Sequence, residues 1–144
     1  MPLTMTRAER EAFLADVHVA IIGIEVADAP PLCVPIWYDF DPEVGVWVIT
    51  DPGSEKGRAL HAARRFSLCA QSEKPPTYQY VSVSGPVVDV READLERDAR
   101  PMAHRYFGEK LGDMYVDGTG GGGQVFTMRP DRWRTVDYAK FTGD

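Results

Sequence analysis

Apolar and polar positions along the chain change period several times, and each change marks an element. Residues 6–17 have helical spacing: Thr6 and Glu9 fit a capping box, and Phe13, Leu14 and Val17 form an apolar stripe. Residues 18–26 are apolar and β-branched, which predicts a buried strand. Asp28-Ala29-Pro30-Pro31 breaks it, and residues 32–40 resume as a second strand. A turn at Asp41-Pro42-Glu43-Val44-Gly45 leads to a third strand at 46–50, and the three are expected to form an antiparallel meander. Asp51-Pro52-Gly53 stops the sheet, and Ser54 is a good N-cap for a short helix to about residue 63. Strands are predicted at 66–71 and 78–90, the latter alternating Tyr80, Ser82 and Ser84 against Val81 and Val83. Residues 91–108 read as helical, with Pro101 starting a second helix or kinking the first. Residues 117–123 read as a mobile glycine-rich loop and a candidate lid. Residues 124–128 and 133–138 read as a last strand or pair. Six or so antiparallel strands with short helices between them predict a mainly β protein whose sheet closes, or nearly closes, into a barrel.

At 144 residues, with no repeats and no long linker, the chain reads as a single domain over 1–144. The net charge of −6 argues against nucleic acid or a membrane surface as partner, since both reward basic patches. No secretory signal and no stretch of transmembrane length is visible, so the expected location is the cytoplasm. Cys33 and Cys69 are far apart in sequence and read as buried free thiols. Arginine outnumbers lysine twelve to four and asparagine is absent, a bias that fits a GC-rich genome.

The most informative segment runs from Thr50 to Arg58, where a strand ends, turns and starts a helix. The first N–H groups of a helix lack internal partners and carry partial positive charge, so they suit an anion. Lys56 falls in that first turn. Residues 56–65 hold Lys56, Arg58, Arg64 and Arg65 with no acid, a local +4 in an acidic chain. A solvated helix face is the plainer explanation of that run. Pro35, inside a strand, marks a sheet edge or bulge, because it has no N–H for a ladder. Free backbone groups beside it suit the polar rim of a flat heterocycle, with Trp37 on the same face; a barrel-corner proline with Trp37 in the core is the alternative. His18, His61 and His104 show no metal-ligand spacing, and no metal site is expected. The glycine run lacks the G-K-[ST] of a phosphate loop. No hydrolase constellation and no dedicated proton donor stands out; Tyr38 and His18 are candidates, neither of them favoured.

In order and spacing these pieces resemble the pyridoxamine 5′-phosphate oxidase-like split-barrel superfamily, in particular its flavin- and deazaflavin-dependent oxidoreductases. The resemblance is carried by Pro35-Ile36-Trp37-Tyr38, by Val48-Ile49-Thr50 followed by Ser54-x-Lys56, and by Tyr80-Val81-Ser82-Val83-Ser84-Gly85-Pro86. Arg105-Tyr106-Phe107-Gly108 and Arg129-Pro130-Asp131-Arg132-Trp133-Arg134 complete it. It implies a split β-barrel with a Greek-key-like sheet. It implies that Lys56 binds a cofactor phosphate, helped by Ser54 and the backbone through Gly57 and Arg58. Pro35, Ile36, Trp37, Thr50 and Asp51 would lie along the ring, and Tyr80 and Trp133 would approach from a partner barrel or line the substrate side. The implied assembly is a homodimer with cofactors at the interface. The implied cofactor is coenzyme F-420, with FMN as the alternative, used for hydride transfer to a conjugated or unsaturated small molecule. The acidic tail of F-420 would need further cations, for which Arg58, Arg64 and Arg132 are available. A cofactor-binding protein without turnover is the competing reading. The Arg-Leu-Ala-Pro-like substrate motif of true pyridoxamine phosphate oxidases is absent, which argues against vitamin B6 oxidation.

Overall fold

The computed structural model describes residues 2–142 and contains eight strands, all paired antiparallel, with short helices at the periphery. Helix α1 (Arg7–Ala15) starts at a true capping box: the Thr6 side chain accepts from Glu9 N, and the Glu9 carboxylate accepts from Thr6 N. Strands β1 (Ala20–Ile24) and β2 (Leu32–Ile36) form a hairpin, and β3 (Asp39–Asp41) and β4 (Gly45–Thr50) form another. Helix α2 (Glu55–Ala63) precedes β5 (Arg65–Ser72) and the fourteen-residue β6 (Gln79–Glu92). A π-helical turn (Leu95–Ala99) runs into α3 (Arg100–Thr119). Strands β7 (Gln124–Met128) and β8 (Arg132–Asp137) and the short α4 (Ala139–Thr142) complete the chain.

The expected three-strand meander is not formed. The predicted strand 32–40 is two strands, β2 and β3, which stand at opposite ends of the sheet order β2-β1-β5-β6-β7-β4-β3. Trp37 and Tyr38 carry the chain between these ends, so covalent continuity closes the barrel where hydrogen bonding does not. Pro35 is on the edge strand of this order, where a missing N–H costs no ladder bond. The split has its cause in β6. Its first half pairs β5 and β8, its second half pairs β7, and the register shifts between Val87 and Asp89.

Alternation puts the core on one face of each strand. Ile22, Leu68, Val81, Val83, Val48 and Phe126 are almost fully buried, while Ile21, Tyr80 and Cys33 lie on the outer face. Cys33 is therefore exposed, not buried; Cys69 is half-buried, and burial pushes its thiol up. The barrel seam is polar. Tyr38 is fully buried, and its hydroxyl donates to the Leu14 carbonyl at 2.8 Å. Arg105 donates to the carbonyls of Tyr38, Leu14, Ala15 and Asp16, which closes the end of α1 from a distant helix.

The helical region extends past residue 108 to Thr119, so residues 117–119 belong to a helix and not to a loop. Gly108 (φ 79°, ψ 175°) breaks α3 into two arms that fold back on each other. Gly112 makes the contact: a Cβ there would stand 2.7 Å from His104 Cδ2 and 2.9 Å from the Ala103 backbone. Arg100 on the first arm binds Asp113 and Asp117 on the second, each at 2.9 Å. Among the described residues no helix is long and apolar enough to cross a membrane.

Candidate functional site

The site begins where β4 ends. Ser54 caps α2: its Oγ accepts from Gly57 N at 3.1 Å and donates to the Asp51 carbonyl at 2.6 Å. Gly57 is required here, because a Cβ would lie 2.1 Å from the Asp51 carbonyl oxygen. The helix start is thus pressed onto the Asp51-Pro52 turn. The cap takes the Gly57 N–H and leaves those of Glu55 and Lys56 without an intrahelical partner, and the Lys56 ammonium has no partner among the described residues. Arg58 bends back to donate to the Gly53 carbonyl. Asp51 and Glu55 set negative charge beside this turn; Lys56 and Arg58 offset it. The other end of α2 is tied down by His61, whose Nε2 donates to Gln124 Oε1 at 2.7 Å, and Gln124 donates on to Glu92.

Thr50 links this cap to a cleft. Its Oγ1 is 3.3 Å from Ser54 Oγ, and with Trp37, Ile49 and Asp51 it lines a space of about 290 Å³. Across from it stand Met102 and Ala103 of α3, Tyr115 and Thr119 of the second arm, and Gly121–Gly123. Trp37 lies flat on Tyr106, with ring centres 4.9 Å apart and 7° between planes. Phe107 and Tyr115 meet Trp37 at 5.0 and 5.6 Å. The cleft is therefore walled by aromatic and thioether groups, with hydroxyls at the end nearest α2. Such walls suit a flat ring, and the volume is at the low end of the roughly 300–1,000 Å³ usual for ligand pockets.

The expected site residues divide. Trp37, Thr50 and Asp51 meet in the cleft, and Ser54, Lys56 and Gly57 build the adjoining helix start. Arg58 lines a neighbouring groove between α2 and Pro30-Pro31. Pro35 is exposed on the outer face of the edge strand. Ile36 turns its side chain into the core, which leaves only its backbone for a ligand. Tyr80 is exposed on the outer face of β6, away from the cleft within the chain. Trp133 is also elsewhere: it packs edge-on against Phe40, beneath the Arg10 guanidinium at 4.2 Å. Neither proposed proton donor reaches the cleft. Burial pushes the Tyr38 phenol up, and its proton is held by Leu14. His18 stacks on Phe13 and binds the Phe13 carbonyl, and burial lowers its pKa. Met102, Tyr115 and Thr119 were missed. Tyr115 and Thr119 share a helix face at i, i+4, a spacing hidden by reading the glycine run as the start of a loop.

Comparison with known proteins accounts for this arrangement. The structure is similar to a conserved hypothetical protein from Mycobacterium tuberculosis, with a TM-score of 0.76 at 20% identity over 99% of this chain and 91% of that one. It is similar to an F-420 reductase, with a TM-score of 0.61 at 18% identity over 86% and 94%. It is also similar to an FAD-binding protein from Mesorhizobium loti, with a TM-score of 0.61 at 15% identity over 93% and 96%. No curated protein sequence matches. The family model described as pyridoxamine 5′-phosphate oxidase matches residues 6–137. With a split barrel whose elements follow that family from α1 to β8, the chain belongs to the pyridoxamine 5′-phosphate oxidase family.

Proposed function

We propose that the chain is an oxidoreductase that holds a phosphate-bearing flavin-type cofactor, coenzyme F-420 first and FMN as the alternative. One observation carries this reading: the Lys56 ammonium, without a partner among the described residues, and the uncapped N–H groups of Glu55 and Lys56 share the first turn of α2, which Thr50 joins to an aromatic cleft. An anionic group at the start of α2 and a flat ring at Trp37 would belong to one molecule that bridges the two along Thr50. The resident ring supplies hydride chemistry to an unsaturated, conjugated acceptor. The chain's own contribution is to fix the phosphate with Ser54 and Lys56, to orient the ring against Trp37, and to exclude water with Met102 and Tyr115. The structural similarity to an F-420 reductase and to an FAD-binding protein supports the cofactor class.

The cleft of about 290 Å³ is partly open, so some of a ring held there stays uncovered. A second copy, in a cytoplasmic homodimer, covers the rest. The outer face offers a surface for it. Pro35, Ile21, Cys69 and Ser82 are consecutive cross-strand partners on β2, β1, β5 and β6. Ile21 in this row and the neighbouring Val19 are exposed. Tyr80 is on this same face and is placed to reach a partner's cofactor.

Fluorescence titration with FMN and, separately, with oxidised F-420 tests the reading. Micromolar or tighter binding of one of them is expected. No binding of either overturns it, and binding without reduction of any acceptor leaves a cofactor carrier.

A further inference from the structure

Strands β3, β4, β7 and β6 share an outer row of consecutive cross-strand partners: Asp39, Trp47, Thr127 and Asp89. The π-helical turn and the start of α3 lie across this row. They are pinned there by Asp98, which accepts from both terminal nitrogens of Arg91 and from Asp94 N. The cover is not closed, and a cavity of about 250 Å³ remains between sheet and helix.

Thr127 lines this cavity and is only 9% exposed, yet its hydroxyl has no partner among the described residues. A buried hydroxyl without a partner costs stability and asks for one. Other polar groups of the lining are unmatched too. Asp39 Oδ1 accepts from Phe40 N and faces Arg105 at 3.4 Å, while its Oδ2 has no partner among the described residues. The Arg97 guanidinium, exposed at the rim, has none either. Asp98 and Arg91 satisfy each other, and Asp89 lies 3.9 Å from Arg91, so these charges are spent. One cation at the rim and one carboxylate oxygen beside a hydroxyl are left over. The walls between them are the Trp47 indole, Val125 and Met102.

We propose that this cavity binds a small hydroxyaromatic carboxylate, its ring against Trp47, its carboxylate on Arg97 and its hydroxyl between Asp39 and Thr127. A cavity of about 150 Å³ already takes benzene, so this one takes a single ring with short polar substituents. The hydroxyl donates to Asp39 Oδ2 and accepts from Thr127 Oγ1, and the guanidinium makes charge-assisted bonds to the carboxylate. Met102 is the one lining residue that this cavity shares with the cleft at Trp37, so its thioether separates two spaces. The site stands whether or not the cofactor reading does.

The test is an NMR titration of the intact protein with para-hydroxybenzoate and, separately, with benzoate and with phenol. Saturable shifts of the Trp47 indole N–H and of the Thr127 and Arg97 amides are expected, with para-hydroxybenzoate bound tightest. Arg97→Ala changes an exposed side chain and should raise the dissociation constants of the two acids about tenfold while leaving that of phenol unchanged. Thr127→Val removes the unpartnered hydroxyl, so the melting temperature of the free protein should not fall. It should weaken para-hydroxybenzoate and phenol and leave benzoate unchanged. No saturable shift at tens of millimolar, constants that neither substitution moves, or shifts at Thr119 and Gly122 in place of Thr127, which would put the ring in the cleft, overturns the proposal.

Discussion

The Tyr106 hydroxyl is bound to Tyr38 and to the segment between α1 and β1: it accepts from Tyr38 N at 3.0 Å and donates to the His18 carbonyl at 2.6 Å. The same ring supports Trp37. One side chain of α3 therefore holds the closure of the barrel and a wall of the cleft together. Tyr106→Phe keeps the stacking and removes both bonds, leaving two backbone groups unsatisfied. It should cost about 2 kcal/mol in urea denaturation. A loss below about 0.5 kcal/mol would mean that water replaces the hydroxyl.

Lys56→Ala should weaken binding of FMN or F-420 by about 1.5–3 kcal/mol, the scale of a charge-assisted hydrogen bond. The Ser54 cap does not involve the ammonium, so the melting temperature of the free protein should stay constant. Equal affinity of both proteins in a fluorescence titration removes Lys56 from the site.

Acid should destabilise the fold in two steps. His18 is held neutral by burial, with its pKa lowered from 6.5, so the unfolded chain takes up the proton first. Its contribution is present above that value and is lost as pH falls towards the lowered one. Asp98 is bound by Arg91 at 2.5 and 2.7 Å, and this ion pair lowers its pKa below 3.8. Its contribution is present above 3.8 and is lost as pH falls through the lowered value. Urea midpoints measured from pH 8 to pH 3 should show both steps, and His18→Phe should erase the first. Asp98→Asn should cost about 2 kcal/mol at neutral pH, a figure discounted for the solvent that reaches Arg91.

Gly112→Val should part the two arms of α3, because the added methyls meet the Ala103 backbone and not a flexible tip. Tyr115 and Thr119 would then withdraw from the cleft. A fall in melting temperature with a red shift of tryptophan emission is expected, and unchanged emission would show that the arms tolerate the bulk.

Ile21→Asp sets a charge in the middle of the apolar outer row. It should raise the dimer dissociation constant by about a hundredfold in sedimentation velocity. A parent protein that sediments as a monomer would remove the dimer from the proposed function.

What could be read in advance was local. The start of α2 needs only Ser54, the turn before it and the charges after it, and the structure places all of these as read. The alternation of β6 from Tyr80 to Ser84 was equally clear, since each residue reports its own face. The split of residues 32–40 was hidden because Trp37 and Tyr38 are as apolar as their neighbours. What separates β2 from β3 is Tyr106 and Arg105, some seventy positions away. The second arm of α3 was lost for a related reason. Gly118, inside its last turn, and Gly120, just past its end, read as loop composition, while Gly112 lies within the arm so that two helical arms can touch. Trp133 was expected to approach from a partner barrel or to line the substrate side; within the chain, tertiary packing places it between Arg10 and Phe40.

The way Arg105 closes the end of α1 has a consequence for the order in which the protein can be completed. The carbonyls of Leu14, Ala15 and Asp16 leave the ribosome about ninety residues ahead of their partner. Leu3 and Met5 wait longer still, for Asp137 and Thr135 of the last strand. The partners of these residues therefore come late. Contacts so distant in sequence are slow to form, so during synthesis residues 3–16 wait, incompletely bonded, until β8 follows.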